Sequence, residues 1–488
     1  MQDRSVFLKF MLGCGILCVG SLFGGLLLLE KNGNHTILGT GTSLSTAVVI
    51  GTMLMIPGAA IILQSFHTMS KKPCKKRAPS DLIGPGFWAL STVSAAAVLF
   101  VVYQSFGMTL NVLDGIDFPV PKSMLAWDIA RPLYDAFHEG EIIGSIGFFA
   151  SDGPRDIPMI IHGAGRNLLP AWIVANFGNE GTMIAEMRFM TSAGTFLGML
   201  LAATCAFAAT LLIVSRQKMA ALRRAEILAF SALGVLLAMA LVAKIGSVSN
   251  RNIVLFAVIL VSILLIWSAA SRRNALSSGL AGLLGALTML SPLHTYLGGV
   301  QSVMVTLTAA AIVLLISPGR RLVLFVTGFL GALAAFAVVC ALGGYWLFED
   351  AVTTTLYWSE NAEPIWGHYA PRFVLLGSLV LMMAGALLGG FSLAGKSIGM
   401  EDRAARGVLA LLVVVIVAST YSYANLSDPN HFGFGLFICS PALAATASLV
   451  FLTISRISAT VSFVLASVLV LPTSIMLFQM EGSGILHA

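Results

Sequence analysis

The segment NIVLFAVILVSILLIWSAAS, from Asn252 to Ser271, carries no charged residue and is almost wholly apolar. About 20 apolar residues in a helix that rises 1.5 Å per residue are enough to cross the hydrocarbon core of a bilayer. The segment lacks the alternation of apolar and polar residues that is typical of a half-buried β-strand. It therefore predicts a membrane-spanning helix, and the rest of the chain repeats this pattern.

The whole chain of 488 residues is 57% hydrophobic and only 10% charged, and its mean hydropathy is +0.91. These values lie far outside the range of soluble proteins. We count about thirteen apolar runs of spanning length: 6–29, 45–66, 83–104, 189–214, 225–246, 252–271, 275–296, 300–317, 322–346, 372–395, 407–424, 434–454 and 457–479. The sequence predicts an all-α polytopic membrane protein with a single transmembrane domain, 1–488.

The basic residues predict how this domain is oriented. About 19 of the 28 Lys and Arg residues fall on one side of the predicted spans, mainly in alternate loops. Because basic loops stay in the cytoplasm, we expect a cytoplasmic N-terminus. On this topology most acidic residues and seven of the eight His face outward. The basic loops on the cytoplasmic side account for the net charge of +6, which therefore gives no reason to expect a nucleic-acid partner.

The loop 105–188 interrupts the apolar chain, lies outside on this topology, and holds nearly half of the 22 acidic residues. Its local signals predict two short juxtamembrane helices. One lies near 132–139, because proline suits the first position of a helix and glycine its end. The other is Leu168 to Phe177, which Asn167 would cap and Gly178 would end.

The first chemical cluster of this loop is DAFHEGE, from Asp135 to Glu141. Asp135, His138 and Glu139 have the spacing that places three side chains on one helix face. Crowded carboxylates near apolar material raise one another's pKa, which suits a general base that works near neutral pH. An ordinary solvated face at the membrane surface is an equally good interpretation of this cluster.

The second cluster is RDIPMIIHGAGRN, from Arg155 to Asn167, and its candidate residues are Asp156, His162 and Arg166. A glycine-rich turn before a helix exposes backbone N–H groups that can hold a phosphate oxygen, and an arginine adds a bidentate contact. A tight turn with a salt bridge would explain the same residues.

Two further external segments carry candidate residues. Asp428 and His431 lie three residues apart in a short loop, which is also an ordinary turn sequence. The segment 347–371, followed by Arg372, combines acids with aromatic residues that could stack on a sugar or anchor the chain at the membrane interface.

Known catalytic motifs are missing from the chain. It contains no G-x-S-x-G, no H-E-x-x-H, no phosphate-binding P-loop and no dinucleotide fingerprint. An enzyme that works outside the cytoplasm has no supply of nucleotide-sugars or ATP. This location favours an activated donor that is carried by a lipid.

The long acidic first external loop and the number of spans resemble the GT-C glycosyltransferases. More narrowly, D-x-x-H-E-G-E, then D-I-x-x-x-x-H-G and a late D-x-x-H, is similar to a group of bacterial polytopic proteins of mannosyltransferase-like type. The resemblance implies that Asp135 or Glu139 is the catalytic carboxylate. The other site residues that it implies are His138, Glu141, Asp156, His162, Asp428 and His431.

Such proteins are also expected to carry an arginine shortly before the late aspartate, where this chain has Ser427. Contact with the donor phosphate would therefore fall to Arg166, Arg251 or Arg372. The resemblance implies a hexosyl or pentosyl transferase that moves a sugar from a polyprenyl-phosphate donor to a glycan or lipid acceptor by inverting single displacement. Positive groups, or a divalent cation such as Mg²⁺ or Mn²⁺, would stabilise the leaving phosphate.

Two other functions compete with this hypothesis. A transporter or flippase of lipid-linked glycans would use charged groups inside the membrane, whereas the charges here avoid the centres of the spans. A glycan polymerase or ligase would use a similar external site, so only its product would distinguish it from a single-sugar transferase.

Overall fold

The computed structural model describes residues 2–32, 44–69, 164–178, 183–215, 249–366, 372–395, 402–423 and 435–455. This part of the chain is almost entirely helical, because a backbone in lipid must satisfy its hydrogen bonds within its own segment. Four helices precede residue 249: α1 (Gln2–Asn32), α2 (Leu44–Met69), α3 (Ala164–Phe177) and α4 (Met183–Ser215). They are followed by a short 3₁₀ turn at Ser249–Asn252.

The remaining helices are α5 (Ile253–Ala270), α6 (Asn274–His294), α7 (Tyr296–Ile316), α8 (Arg321–Ala341), α9 (Tyr345–Trp366), α10 (Arg372–Ala394), α11 (Arg403–Tyr423) and α12 (Ser440–Ser455). Residues 435–438, just before α12, are also helical. A second 3₁₀ turn, Pro318–Arg320, joins α7 to α8.

Eight segments of the described part are long and apolar enough to cross a membrane: Ser5–Gly24, Thr46–Ser65, Ile253–Ala270, Asn274–His294, Gly298–Ile316, Pro318–Ala341, Gly377–Ala394 and Arg403–Thr420. Two shorter apolar stretches, Leu200–Ile213 and Ser440–Val450, coincide with two further predicted spans. The chain is therefore a multi-pass, all-α membrane protein. Three predicted spans, 83–104, 225–246 and 457–479, lie outside the described residues.

Helices α5 and α11 form the centre of the bundle. Phe256, Ile259 and Ile263 of α5 are fully buried, as are Leu409 and Leu412 of α11. Helices α4, α6, α7 and α11 all pack against α5, whereas α10 contacts α2 and α11. The hydrophobic side chains of these two helices face protein on nearly all sides, which accounts for the nearly uniform apolar sequence of α5 and for the apolar run 408–418 of α11.

One end of this bundle, here called the junction end, is defined by two long-range hydrogen bonds. Thr295, between α6 and α7, donates its hydroxyl to the carbonyl oxygen of Arg251 at the start of α5, at 3.2 Å. Gln301, near the start of α7, donates its amide to the carbonyl oxygen of Ala418, near the end of α11, at 3.3 Å. The junction end therefore brings together the beginnings of α5 and α7 and the ends of α6 and α11.

The opposite end is here called the arginine end. Arg320 donates to the Ser278 hydroxyl at 3.1 Å and thereby joins the start of α8 to α6. Arg406, at the start of α11, donates from Nε to the Ser392 carbonyl at 2.8 Å, near the end of α10. The arginines at this end are Arg272, Arg273, Arg320, Arg321, Arg403 and Arg406. Loops that were predicted to share the cytoplasm thus lie at one end, while the direction of the bundle in the cell stays a prediction.

Helix α8 lies at the periphery and packs mainly against α6. The two helices meet through glycine backbones, with Gly285 against Gly328 and Gly282 against Gly331. Away from this contact α8 is exposed: Leu322 is 74% and Phe325 is 67% accessible. Such an exposed apolar surface suits contact with lipid. The close approach of the two helices through small residues is also typical of membrane proteins.

Two predicted elements differ from the structure. The predicted span 322–346 ends earlier, because α8 stops at Ala341 and the chain turns at Gly343, which has a φ of +76° that glycine adopts readily. The segment 347–371, which the sequence predicts as an external connection between spans, belongs for most of its length to the continuous helix α9. Its mixture of acidic, aromatic and apolar residues is not typical of a membrane span, so the sequence does not predict this helix. Helix α9 packs against α6 and α7.

Candidate functional site

Most of the candidate residues from the sequence lie outside the described part of the chain. These are Asp135, His138, Glu139, Glu141, Asp156, His162, Asp428 and His431. Arg166 and Arg372 lie in the described helices α3 and α10, and for both residues only the helical backbone is described. The described part of the site therefore consists of the helices that flank the predicted motifs and of the junction end.

Helix α3 continues directly from the HGAGRN motif. It begins at Ala164, which places Asn167 inside the helix, so the prediction that Asn167 caps it is wrong. Asn167 was chosen as the cap because its side chain suits that position, but the helix already starts within the glycine-rich stretch. The predicted end is confirmed, since the Gly178 N–H donates to the Val174 carbonyl at 2.8 Å.

Gly178 ends α3 at a position where neighbouring atoms leave no room for a side chain. A Cβ atom at this position would lie 2.5 Å from the Val174 carbonyl oxygen and would also meet the Glu186 carboxylate of α4. Its φ is not in the left-handed region, so conformational freedom is not the reason for glycine here. The close contact fixes α3 beside the first turn of α4, and α3 also packs against α6.

Arg372 is the first residue of α10. The contact of Arg406 with Ser392 places the other end of α10 at the arginine end, so Arg372 belongs to the junction end. This position agrees with its predicted place on the same side as the large loop. Helix α2 runs in the same direction as α10, because Gly51 meets Met382 while Ile56 meets Gly389.

The turn between α6 and α7 provides the polar centre of the junction end. Pro292 lies in the last turn of α6, and Thr295 is the single extended residue between the two helices, with φ −149° and ψ 132°. The Thr295 hydroxyl donates to the Arg251 carbonyl, so His294 and Arg251 are held on neighbouring helix ends. Thr295 and Tyr296 are buried.

Arg251 is half-buried, and its Nε and Nη2 atoms are shielded from solvent, as is Nδ1 of His294. The guanidinium is partly withdrawn because the 3₁₀ turn that carries it packs against α4. A partly desolvated guanidinium interacts more strongly with an anion than an exposed one does.

A row of buried and half-buried polar groups, here called the polar seam, runs from the junction end into the bundle. The hydroxyls of Ser291 and Ser302 are 2.7 Å apart, and those of Thr288 and Thr306 are 2.6 Å apart, so both pairs join α6 to α7. The Gln301 amide extends the seam to α11. These groups satisfy one another's hydrogen bonds, which favours a structural role that fixes the register of the three helices.

Helix α9 lies against the junction end, where it contacts α6 and α7. Its start is fixed to α8 by Phe336 and Phe348, whose rings are 5.0 Å apart. Asp350 is half-buried in this helix, and burial raises the pKa of its carboxyl above the ordinary value. The sequence pattern does not distinguish Asp350 from the other acids of the segment 347–371, because its burial depends on a helix that the sequence does not predict.

Among the described residues, no group of three or more His, Cys, Asp and Glu side chains comes together in a way that could hold a metal ion. The carboxylates of the loop 105–188 motifs lie outside those residues, so a divalent cation at the leaving phosphate stays a prediction. Comparison with known proteins finds no matching family model, no matching curated protein and no matching solved structure.

Proposed function

We propose that the protein is an integral-membrane glycosyltransferase of GT-C type, which moves a sugar from a polyprenyl-phosphate donor to a glycan or lipid acceptor outside the cytoplasm. The observation that carries this proposal is the position of α3. The helix that continues from the acid- and His-rich loop packs against α6, and the end of α6 holds the half-buried Arg251. The loop with the proposed catalytic carboxylates leads into α3, and the proposed phosphate-binding residue Arg251 is bonded at the end of α6, which α3 contacts.

In the proposed reaction, Asp135 or Glu139 accepts the proton of an acceptor hydroxyl as the oxygen attacks the anomeric carbon of the sugar. The new bond joins that oxygen to the anomeric carbon, and the bond from the anomeric carbon to the phosphate oxygen breaks. The polyprenyl phosphate leaves with the bonding electrons. Inversion at the anomeric carbon follows from this single displacement.

Arg251 is the residue that we assign to the leaving phosphate. Its guanidinium is always charged, and its planar array of donors matches two phosphate oxygens at once. The partial burial of Nε and Nη2 increases the strength of such a contact. Arg166 and Arg372 are the other candidates, since α3 packs on α6 and α10 begins at the junction end.

The proposal includes the orientation of the bundle and about thirteen spans in a bacterial inner membrane. The junction end, with its few basic residues, would face the periplasm, and the arginine end would face the cytoplasm. The apolar surfaces of the spans would accommodate the prenyl chain of the donor. The sugar and its acceptor would meet beneath the loop 105–188.

The second candidate is a transporter or flippase of lipid-linked glycans, and the polar seam is the feature on which it would depend. Polar groups inside a membrane bundle often belong to a translocation pathway. Here the hydroxyls of Ser291, Ser302, Thr288 and Thr306 bond to one another, and such closed pairs bind no passing substrate. A glycan polymerase or ligase would share the proposed chemistry and would differ only in the length of the glycan it transfers.

The experiment that tests the proposal measures sugar transfer by the purified full-length protein from radiolabelled polyprenyl-phosphate sugars to lipid and glycan acceptors. We expect Glu139→Gln or Asp135→Asn to abolish transfer while the protein elutes as the same folded species, because a catalytic base supplies about 10²–10⁴-fold of rate.

The matched control is Glu349→Gln, which removes an exposed carboxylate from α9 at the same end of the bundle and should leave transfer unchanged. Full activity in both carboxylate variants would eliminate the assignment of the base. Movement of a labelled lipid-linked glycan across vesicles without any new glycosidic bond would favour the flippase.

A further inference from the structure

Four arginines surround the arginine end of α6 and α8. Arg272 and Arg273 lie in the turn between α5 and α6. Arg320 ends the 3₁₀ turn that follows α7, and Arg321 is the first residue of α8. Residues 271–278 and 314–325 contain no aspartate or glutamate. The two turns thus concentrate positive charge without a carboxylate of their own, which creates a local attraction for an anion.

Arg320 is the most constrained of these side chains. Its Nη2 donates to the Ser278 hydroxyl at 3.1 Å, which holds the guanidinium across the gap between α8 and α6. Its Nη1 is buried and has no hydrogen-bond partner among the described residues. A buried donor on a charged group is unfavourable unless a partner satisfies it, so the arrangement is complete only with an acceptor.

Each of the neighbouring arginines has a different environment. Arg272 adopts a φ of +54°, which is unfavourable for a residue with a side chain, and the turn presents its exposed guanidinium. Arg321 donates from Nε to the Leu314 carbonyl at 2.9 Å. The Arg273 guanidinium lies 4.7 Å from the centre of the Trp267 ring. No hydrogen bond to an acidic side chain occupies any of the four guanidinium groups among the described residues.

Apolar surface begins directly beside this charge. Leu276 on α6 is exposed, and so are Leu315 at the end of α7 and Leu322 at the start of α8. The exposed surface continues along α8 through Phe325 and Phe329. A ligand that satisfies both features needs an anionic group at one end and long hydrocarbon chains at the other.

We propose that an anionic phospholipid binds here, with its phosphate on Arg320 and its acyl chains along the exposed surfaces of α6 and α8. The continuity of charge with apolar surface distinguishes a lipid from free phosphate, which would gain nothing from the leucines. On the predicted orientation the lipid belongs to the cytoplasmic leaflet, where basic residues between membrane helices bind anionic head groups. This site is independent of the proposed transferase activity.

The test titrates the purified full-length protein in detergent with phosphatidylglycerol and measures bound lipid and its Kd by native mass spectrometry. We expect Arg320→Gln to weaken binding roughly fivefold, the loss typical of one basic contact at a membrane surface. Ser278→Ala should weaken it less, because the guanidinium stays but loses its fixed position. Arg403→Gln is the matched control: it removes an exposed arginine from the same end of the bundle and should leave the Kd unchanged.

Three results would overturn the proposal. The first is that phosphatidylcholine binds as tightly as phosphatidylglycerol. The second is that inorganic phosphate displaces the lipid completely at equal concentration. The third is that the Kd of Arg320→Gln equals that of the Arg403→Gln control. If Arg320→Gln does not fold, Arg272→Gln replaces it, because that side chain is exposed and its removal leaves the packing intact. Unchanged phosphatidylglycerol binding in Arg272→Gln would then count against the site.

Discussion

At the scale of single residues, Arg251 distinguishes a site from an ordinary helix end. Its carbonyl accepts the Thr295 hydroxyl, while its guanidinium is partly withdrawn from water. A partly desolvated guanidinium binds an anion more strongly than an exposed one does. The half-buried position therefore suits the contact with the donor phosphate that we propose for Arg251, and this role can be tested directly.

We expect Arg251→Ala to raise the KM for the polyprenyl-phosphate donor about 10- to 100-fold, because hydrogen bonds to charged groups contribute roughly 1.5–3 kcal/mol. Arg251→Lys should show a smaller increase, since it keeps the charge but loses the planar pair of donors. The measurement is the dependence of initial transfer rate on donor concentration, with acceptor in excess. An unchanged KM in Arg251→Ala, with Arg403→Ala as the control, would transfer the role to Arg166 or Arg372.

At the scale of helices, the contact between α6 and α8 depends on glycine. A Cβ at Gly285 would meet the carbonyl oxygen of Gly328, and it would lie 3.2 Å from the backbone nitrogen of Ala332. A Cβ at Gly279, two turns earlier on the same helix, would have no atom within 4 Å. Alanine substitutions at the two positions therefore distinguish the cost of overpacking from the intrinsic preference of alanine for a helix.

We expect Gly285→Ala to lower the free energy of unfolding by about 1–3 kcal/mol, the usual cost of overpacking, because backbone cannot move aside as a flexible side chain can. Gly279→Ala should be neutral or slightly stabilising, since alanine favours helix over glycine. Thermal unfolding of both variants in the same detergent gives the comparison. Equal Tm values for the two variants would mean that the close contact is not maintained in the membrane.

The sequence predicted helices better than it predicted their contacts. Apolar runs such as 252–271 and 372–395 coincide with α5 and α10, because length and hydropathy alone determine what lipid can accommodate. Helix α9 was missed because its supporting contacts come from α6 and α7. The Thr295–Arg251 hydrogen bond joins residues 44 positions apart, and no local pattern specifies such a pairing. The predicted Asn167 cap failed because capping preference is weaker than the tendency of a helix to extend when it is packed.

At the scale of the whole molecule, the two ends of the bundle differ in charge and in chemistry. The arginine end has the basic turns around Arg272 and Arg320, whereas the junction end has Arg251, His294 and the acidic helix α9. Both proposals depend on this asymmetry. A lipid-borne sugar donor is needed only if the junction end faces outward, and an inner-leaflet lipid is expected only if the arginine end faces inward.

The orientation can be measured with single cysteines and a membrane-impermeant maleimide on intact cells. Glu349→Cys places a thiol on the exposed side of α9, and Gly319→Cys places one in the turn before α8, where the site is open. We expect the first variant to be labelled in intact cells, above the level of the parent chain, and the second only after the membrane is permeabilised. This pattern follows from the retention of arginine-rich loops in the cytoplasm.

The reverse pattern would place the carboxylates of the large loop in the cytoplasm, where nucleotide-activated sugars are available. The reason for a polyprenyl-phosphate donor would then disappear, although the loop carboxylates could still act as bases. The phospholipid at Arg320 would move to the outer leaflet, but its recognition by charge and apolar surface would remain. A single labelling experiment therefore separates the part of the mechanism that depends on topology from the part that depends only on local chemistry.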